Sequence, residues 1–441
     1  MKRGSSSSYE SRECPRQRLR LLIHAVDGCV PYLTPSTLEQ YFPPSDDLWI
    51  GLAVRDTSVL PVYAVKKKKG GSYDIPTEGN SKAHHRVNTS DKRNETRANH
   101  QSKKSKESPK PCGYSFGSVT PDRWLAKYTL VAVPSFSLVN DEMDCKQHRQ
   151  DQKVSGSNSR VRVWTPHGKQ TLTLEEYFVA SCAIGSNFSV SLYDMSSDNN
   201  DKRQKKAVLR TQQWLSGFLR LRKDAINKHV PAVWAPIVIP PSDTPAEHGH
   251  LSLDHVAEIG TNELSGVALV GTFRMEYDEQ LKSLRAPEVA LLSADSLSEV
   301  LDACCSASIN VIGTNLPTRW AKEKKAFAAD FGRGATAKRS RTHGAHWGEH
   351  QTSSVLDWNG CIDIHDSRIQ RDAKPLIEGC ECLACEKYTR AYLHHLVCAN
   401  ELLAEILLFA HNLHRFLQLL RYFSSEANPG SLKEFIQAQI S

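Results

Sequence analysis

The sequence predicts an α/β protein: a (β/α)8 TIM barrel with a C-terminal Cys3His zinc-binding helical subdomain and polar disordered insertions. Three observations predict it. Eight short apolar, β-branched runs alternate with helical patterns, as a parallel barrel requires. From Glu386 to about Phe423 apolar residues recur at helical spacing with no Pro or Gly between them. Just before that stretch, Cys380, Cys382 and Cys385 fall within six residues.

The chain has 441 residues, 39% of them hydrophobic, and a formal net charge of +7, a balance that suits an anionic partner. Of its 12 cysteines, Cys14, Cys29, Cys112, Cys145, Cys182, Cys304, Cys305 and Cys361 are scattered, with no secreted-domain spacing. They read as reduced thiols of a cytosolic protein. The opening residues lack the apolar core of a signal peptide, holding only the short run from Leu21 to Val26. Glu10 and Glu13 argue against a transit peptide. No stretch approaches the ~20 apolar residues of a membrane span.

The apolar runs are 20–25, 49–54, 128–133, 188–193, 233–239, 266–271, 288–292 and 309–312. Several are near-continuous, as expected of strands buried on both faces. Between the second and third runs, residues 66–111 start at Lys66-Lys67-Lys68-Lys69 and hold almost no apolar side chain, so they predict a disordered basic insertion. Smaller polar insertions are expected at 143–160, 196–206 and 328–350, the last with Lys338-Arg339-Ser340-Arg341. Leu209, Trp214, Leu215, Phe218 and Leu221 share one face of a helix over 207–227. A second helix is expected over 296–306, with Asp295 as its N-cap. The stretch 386–423 predicts a long amphipathic helix, broken at most once. Asn428-Pro429-Gly430 predicts a turn, and 431–439 a final short helix. The domain reading is a barrel over 20–375 and a zinc subdomain over 376–441.

Three soft thiolates on a loop and an imidazole returned by a helix are the donor set of structural zinc. Gly379 permits the tight turn the knuckle needs. His411 lies 25 residues beyond Cys385. His394 and His395 fall too early to fold back easily, and His414, one helical turn on, competes with His411. Four protein ligands leave no open position, so the metal would support the fold and not activate water.

Cys380-Glu-Cys-Leu-Ala-Cys385, Tyr388-Thr-Arg-Ala-Tyr-Leu-His-His-Leu396, Asn400-Glu401 and His411-Asn412-Leu413 follow in order over about the last sixty residues. In this the chain resembles the C-terminal zinc subdomain of the tRNA-guanine transglycosylases. The resemblance settles the fourth ligand on His411. It implies a (β/α)8 barrel, one structural zinc, and exchange of guanine for a 7-deazaguanine base at the wobble position (34) of tRNAs with GUN anticodons. Upstream, Val30-Pro-Tyr-Leu-Thr-Pro35, Thr173-Leu-Glu-Glu-Tyr-Phe178, Gly266-Val-Ala-Leu-Val-Gly271 and Leu316-Pro-Thr-Arg319 are similar to the family in the same order. So is Ser189-Val-Ser-Leu-Tyr-Asp194, which implies that Asp194 is a base-contacting carboxylate.

Base exchange of this kind needs a carboxylate nucleophile to hold the ribose covalently. The family places it four residues before the Pro-Thr-Arg element. That position is Gly313, and no Asp or Glu lies between Asp302 and Glu323. The family's Asp-Ser-Gly-Gly-Phe-Gln segment is not found, and its Gln-Gly element is missing after Ile237-Val-Ile-Pro-Pro241. Loss of the nucleophile with retention of the zinc motif resembles a non-catalytic branch of the family. Its partner would be a catalytic subunit that keeps both carboxylates. The resemblance places Tyr388, Tyr392 and His395 at the subunit interface, although the core face of their helix explains them equally well. It places Arg319 and Lys322 near the anticodon loop. It implies a cytoplasmic protein, with attachment to the mitochondrial outer membrane left open. The competing readings are an active transglycosylase that uses Asp194 or Asp302, and a zinc-stabilised RNA-binding scaffold.

Overall fold

In the computed structural model the described residues are 18–26, 29–53, 127–134, 160–165, 168–194, 201–225, 230–239, 263–330, 360–426 and 428–440, with 253, 256 and 259. The expected insertion at 66–111 lies outside them, as do all of 143–160 but Arg160, which opens a strand, and all of 328–350 but 328–330, where Ala328 and Ala329 are buried; Lys338 to Arg341, Cys14, Cys112 and Cys145 also lie outside.

Eight parallel strands close a barrel. They are β1 (Arg20–His24), β2 (Leu48–Ala53), β3 (Thr129–Val133), β6 (Phe188–Val190), β7 (Ala232–Val238), β8 (Gly266–Val270), β9 (Val289–Ala294) and β10 (Val311–Thr314). Each overlaps one of the eight apolar runs. Strand β1 pairs with β2 on one side and β10 on the other, the register running Leu22 to Trp49 and Leu22 to Gly313. Strands β4 (Arg160–Thr165) and β5 (Gly168–Thr173) form an antiparallel hairpin after β3. Alternation of apolar and polar residues there is too short to stand out, and the hairpin was not expected.

Helices return the chain along the outside: α1 (Pro35–Tyr41), α2 (Leu174–Ala183), α3 (Asp201–Asp224), α4 (Asp278–Leu284), α5 (Leu297–Cys305) and α6 (Leu316–Lys322). Thr173 and Glu176 make a reciprocal capping box that starts α2. Helix α3 starts inside the expected 196–206 insertion, because its solvent face is made of Lys and Gln and so carries no apolar signal. Asp295 is not the cap of α5. Ser296 accepts from Glu299 N at 3.2 Å, and Asp295 N donates to Glu299 Oε2 at 2.9 Å.

Two apolar layers result. Leu22, Val131, Val190, Ala290, Leu292 and Val311 fill the barrel interior. At its N-terminal end Trp49, Phe188 and Trp234 stack, with ring centroids 5.0 to 6.0 Å apart, and Arg20 lies 5.1 Å over Trp49. That end is therefore plugged, so a site can open only at the other. The second layer lies between strands and helices.

After β10, β11 (Lys325–Phe327) pairs antiparallel with β12 (Cys361–Asp363). The expected long helix is three: α7 (Leu383–Lys387), α8 (Arg390–Cys398) and α9 (Leu402–Ser425). Thr389 caps α8 by accepting from Tyr392 N at 3.2 Å. Asn400 turns the chain between α8 and α9 at φ 55°, a left-handed conformation that Asn tolerates. Polar side chains at 389 and 400 break the helix where no Pro or Gly announces it. Pro429 does not make a turn but opens α10 (Pro429–Ile440), since its fixed φ and missing N–H suit a first helical position. Helix α9 packs against the barrel through Phe416, whose ring lies 5.5 Å from Trp320 and 5.2 Å from Phe327. Further along, Arg421 Nε lies 3.0 Å from Asp47, ahead of β2.

Candidate functional site

Cys380, Cys382, Cys385 and His411 converge, all four buried, with ligand atoms within 4.8 Å of one another. The sequence explains how. Gly379 turns the chain at φ 76° with open space around it, so the left-handed turn and not crowding selects glycine. Cys382 is the N-cap of α7, its sulfur accepting from Cys385 N at 3.4 Å. The same thiol thus shapes the knuckle and faces the cluster. Helix α9 then brings His411 Nδ1 to 3.3 Å from Cys382 Sγ, 3.4 Å from Cys385 Sγ and 4.0 Å from Cys380 Sγ. Donors around one tetrahedral ion with ordinary metal–S and metal–N bonds would stand about 3.6 Å apart.

The other ring nitrogen, Nε2, donates to Phe327 O at 3.0 Å, which fixes the tautomer and aims Nδ1 at the thiols. Asn412 accepts from Phe327 N at 2.8 Å and donates to Lys325 O at 3.0 Å, and Arg415 donates to Ala329 O at 2.6 Å. One face of α9 therefore grips the backbone of β11 while presenting its histidine. Hydrogen bonds among the thiols push Cys380 down and Cys382 up. Burial opposes charge on His411, yet the Cys380 and Cys385 thiolates outweigh it and raise the imidazole to about 9. Buried thiols that compete for protons this way suit a cation in their place. These four residues could hold a metal ion.

The competing histidines stand elsewhere. His394 contacts Cys398, its ring nitrogens 3.7 Å from Sγ. His395 is exposed, and His414 lies outside the cluster. Helix α8 packs inward through Leu393, Leu396 and Val397, so Tyr392 and His395 are not its core face. Tyr392 is 39% exposed and its ring stacks on Tyr388 at 5.3 Å and 12°.

Toward the C-terminal end of the barrel strands, Gly313 is enclosed by backbone. A Cβ there would stand 2.0 Å from Leu292 O and 2.6 Å from its carbonyl carbon. The β9–β10 register shifts at this point. His24, at the end of β1, donates from Nε2 to the same Leu292 O at 2.8 Å. Burial drops the His24 imidazole to about 4, so it is neutral near pH 7. The position where the resemblance would put a nucleophile is therefore filled by the backbone of Leu291 and Leu292, with the Leu292 carbonyl held by His24.

Asp194 is 1% exposed and turned onto α3, paired with Arg210 and lying 3.5 Å from Arg203. Burial raises its carboxyl and the two guanidinium groups pull it back. Asp302 is paired with Lys433 of α10. Arg319 Nη2 donates to Asp295 O at 2.8 Å, and its Nε lies 3.8 Å from Glu323. Lys322 is exposed. The structure does not bring Asp194, Asp302 and Arg319 into one constellation. A residue unremarked in the sequence is Glu299, buried and raised to about 7 by that burial, which accepts from Phe273 N at 2.7 Å and from Asp295 N. It ties the loops after β8 and β9 together. The spacing Ser296-x-x-Glu299 was the signal that could have found it.

Comparison with known proteins follows this geometry. A protein from Drosophila mojavensis named queuine tRNA-ribosyltransferase accessory subunit 2 is 27% identical over 285 residues, 60% of this chain and 62% of that protein. The chain thus spans less than two thirds of that relative's length. A Danio rerio protein of the same name is 23% identical over 312 residues, 63% of this chain and 71% of that protein. A queuine tRNA-ribosyltransferase of Cereibacter sphaeroides is 42% identical over 88 residues, 20% of this chain and 23% of that protein. The family model described as queuine tRNA-ribosyltransferase matches residues 138–441. That match covers more than half of the chain and includes the cysteine–histidine cluster and Gly313, and the chain belongs to this family.

Proposed function

We propose that this chain is the non-catalytic accessory subunit of a queuine tRNA-ribosyltransferase. It would pair with a catalytic subunit and help position tRNA while that partner exchanges guanine for queuine at position 34 of tRNAs with GUN anticodons (Asp, Asn, His, Tyr). The observation that carries this reading is Gly313, which is not only a residue without a carboxylate but a position with no room for one. Asp194 and Asp302, the candidates for a replacement nucleophile, are each held in ion pairs with basic side chains.

The ion in the Cys380, Cys382, Cys385 and His411 cluster is read as zinc, from three thiolates and an imidazole. It would supply cross-linking and no chemistry. The chain's own residues do the rest: Phe327 O orients His411, and Asn412 and Arg415 lock α9 to β11. The subdomain would then run over 376–441 and the barrel over 20–375. Exposed Tyr392 and His395, with half-buried Tyr388 stacked beneath Tyr392, are proposed as the partner contact, because an aromatic ring held outward suits an interface. Lys322 and Arg319 remain proposed RNA contacts, Arg319 with one guanidinium nitrogen already used by Asp295 O. The proposed location is the cytoplasm, with the mitochondrial outer membrane as a surface for attachment. Among the described residues no helix is long and apolar enough to cross a membrane.

Co-purification tests the reading. The tagged chain should retain a catalytic homologue that keeps both carboxylates, and Tyr392→Asp should release it. Failure of the wild-type chain to retain any such homologue would favour the zinc-stabilised scaffold instead.

A further inference from the structure

The geometry points to the N-terminal half of α3 as a contact surface for RNA phosphates, an inference that rests on the proposed role in tRNA positioning. Between positions 202 and 210 the helix carries Lys202, Arg203, Lys205, Lys206 and Arg210. The positive end of the helix dipole disfavours an exposed cation in the first turn, such as Lys202, by about 0.3–1 kcal/mol. At the other end of α3, Lys223 has both a favourable dipole and Glu263 at 2.7 Å. Folding therefore accounts for Lys223 and, through Asp194, for Arg203 and Arg210, but not for the exposed Lys205 and Lys206.

Placement supplies the second argument. Helix α3 follows β6, so its first turns stand at the C-terminal end of that strand, the face on which barrels of this kind engage their substrates. Asp194 fixes the helix there by pairing with Arg210 and Arg203 on its inward side. A carboxylate where the family resemblance put a base contact thus serves as an anchor for a cationic helix end. Lys202, Lys205 and Lys206 remain exposed on the outward side, Lys202 and Lys206 one turn and about 6 Å apart along the axis. Lys205 and Lys206 have no acidic partner among the described residues.

The outward stripe decides which polyanion fits. It continues through Leu209, Gln213 and Arg220, and Leu209 is its one apolar member. A membrane-surface helix would need a broad apolar face to insert. Cations with polar neighbours suit a phosphate backbone, with charge and not base identity read.

The test is the salt dependence of binding, measured by anisotropy of labelled tRNA with the full chain, alone and with its co-purified homologue. Lys205→Gln/Lys206→Gln should weaken binding about tenfold at 0.1 M KCl and reduce the log–log salt slope by about 1.4–1.8, two contacts' worth. The double Arg variant should restore both, and Lys223→Gln should change neither. Because both lysines are exposed, the double Gln variant should keep the wild-type melting temperature. Unchanged slope and affinity would overturn the inference. So would a loss confined to vesicles of phosphatidylcholine with phosphatidylserine. Retention of the homologue with an unchanged slope sinks the surface and leaves the accessory role standing. A reduced slope without any retained homologue does the reverse.

Discussion

Replacing Gly313 with alanine adds one methyl group at the position on which the proposed accessory role rests. That methyl would sit 2.0 Å from Leu292 O, where ordinary contact begins at 3.4 Å. The carbonyl cannot rotate away freely, because it accepts from His24 Nε2 at 2.8 Å inside a buried layer. Overpacking of this kind costs about 1–3 kcal/mol, and loss of the buried hydrogen bond adds about 1 kcal/mol or more. A destabilisation of about 3 kcal/mol follows, equivalent to roughly 6–12 °C in Tm for a domain of this size. Gly217→Ala is the control. Its new Cβ meets only Leu174 Cδ2, at 2.6 Å, the movable end of a side chain. Alanine also gains about 1 kcal/mol of helix propensity over glycine, so that variant should stay near wild type. Differential scanning fluorimetry reads both. If Gly313→Ala melts within 2 °C of wild type, by the same roughly 2–4 °C per kcal/mol scale, the enclosed site is wrong. The same enclosure means that Gly313→Asp should not form a covalent tRNA adduct.

Other expectations follow from the buried groups. The imidazole of His24 is lowered to about 4 from an unfolded value near 6.5. Its contribution is complete above about pH 6.5 and is lost as pH falls toward 4, about 3 kcal/mol in all. The difference between wild type and His24→Gln across that range isolates it from Glu299, whose raised carboxyl acts in the opposite direction. Asn412→Ala leaves Phe327 N and Lys325 O without their partner and should cost about 2–4 kcal/mol in chemical denaturation. Cys385→Ser should abolish stoichiometric metal in elemental analysis, and chelation of the wild type should lower Tm further than Gly313→Ala does.

The barrel was legible because its strands are buried on both faces, so each of the eight runs reads as apolar without a partner in view. Runs such as 188–193 overreached, since β6 ends at Val190, and past it only Ser191 N still reaches β7, donating to Trp234 O at 3.3 Å, while Asp194 N turns to Thr211 on α3. What failed was polar. Helix α3 hid its first turns behind lysines, and the breaks before α8 and α9 are made by Thr389 and Asn400. The cysteine–histidine cluster was legible because four donors of specific type stand at fixed spacing. The supports of that cluster were not, since Phe327 contributes only a carbonyl, and Asn412 and Arg415 act on backbone 85 or more residues away. At Gly313 the missing carboxylate was legible, but its enclosure by Leu292 was not, because that depends on how two strands slip past one another.

Guanine exchange into tRNA tests the central claim most directly. The purified chain should incorporate no labelled guanine by itself, and the homologue it retains should incorporate guanine only with this chain bound. Robust exchange by the chain alone would contradict the account.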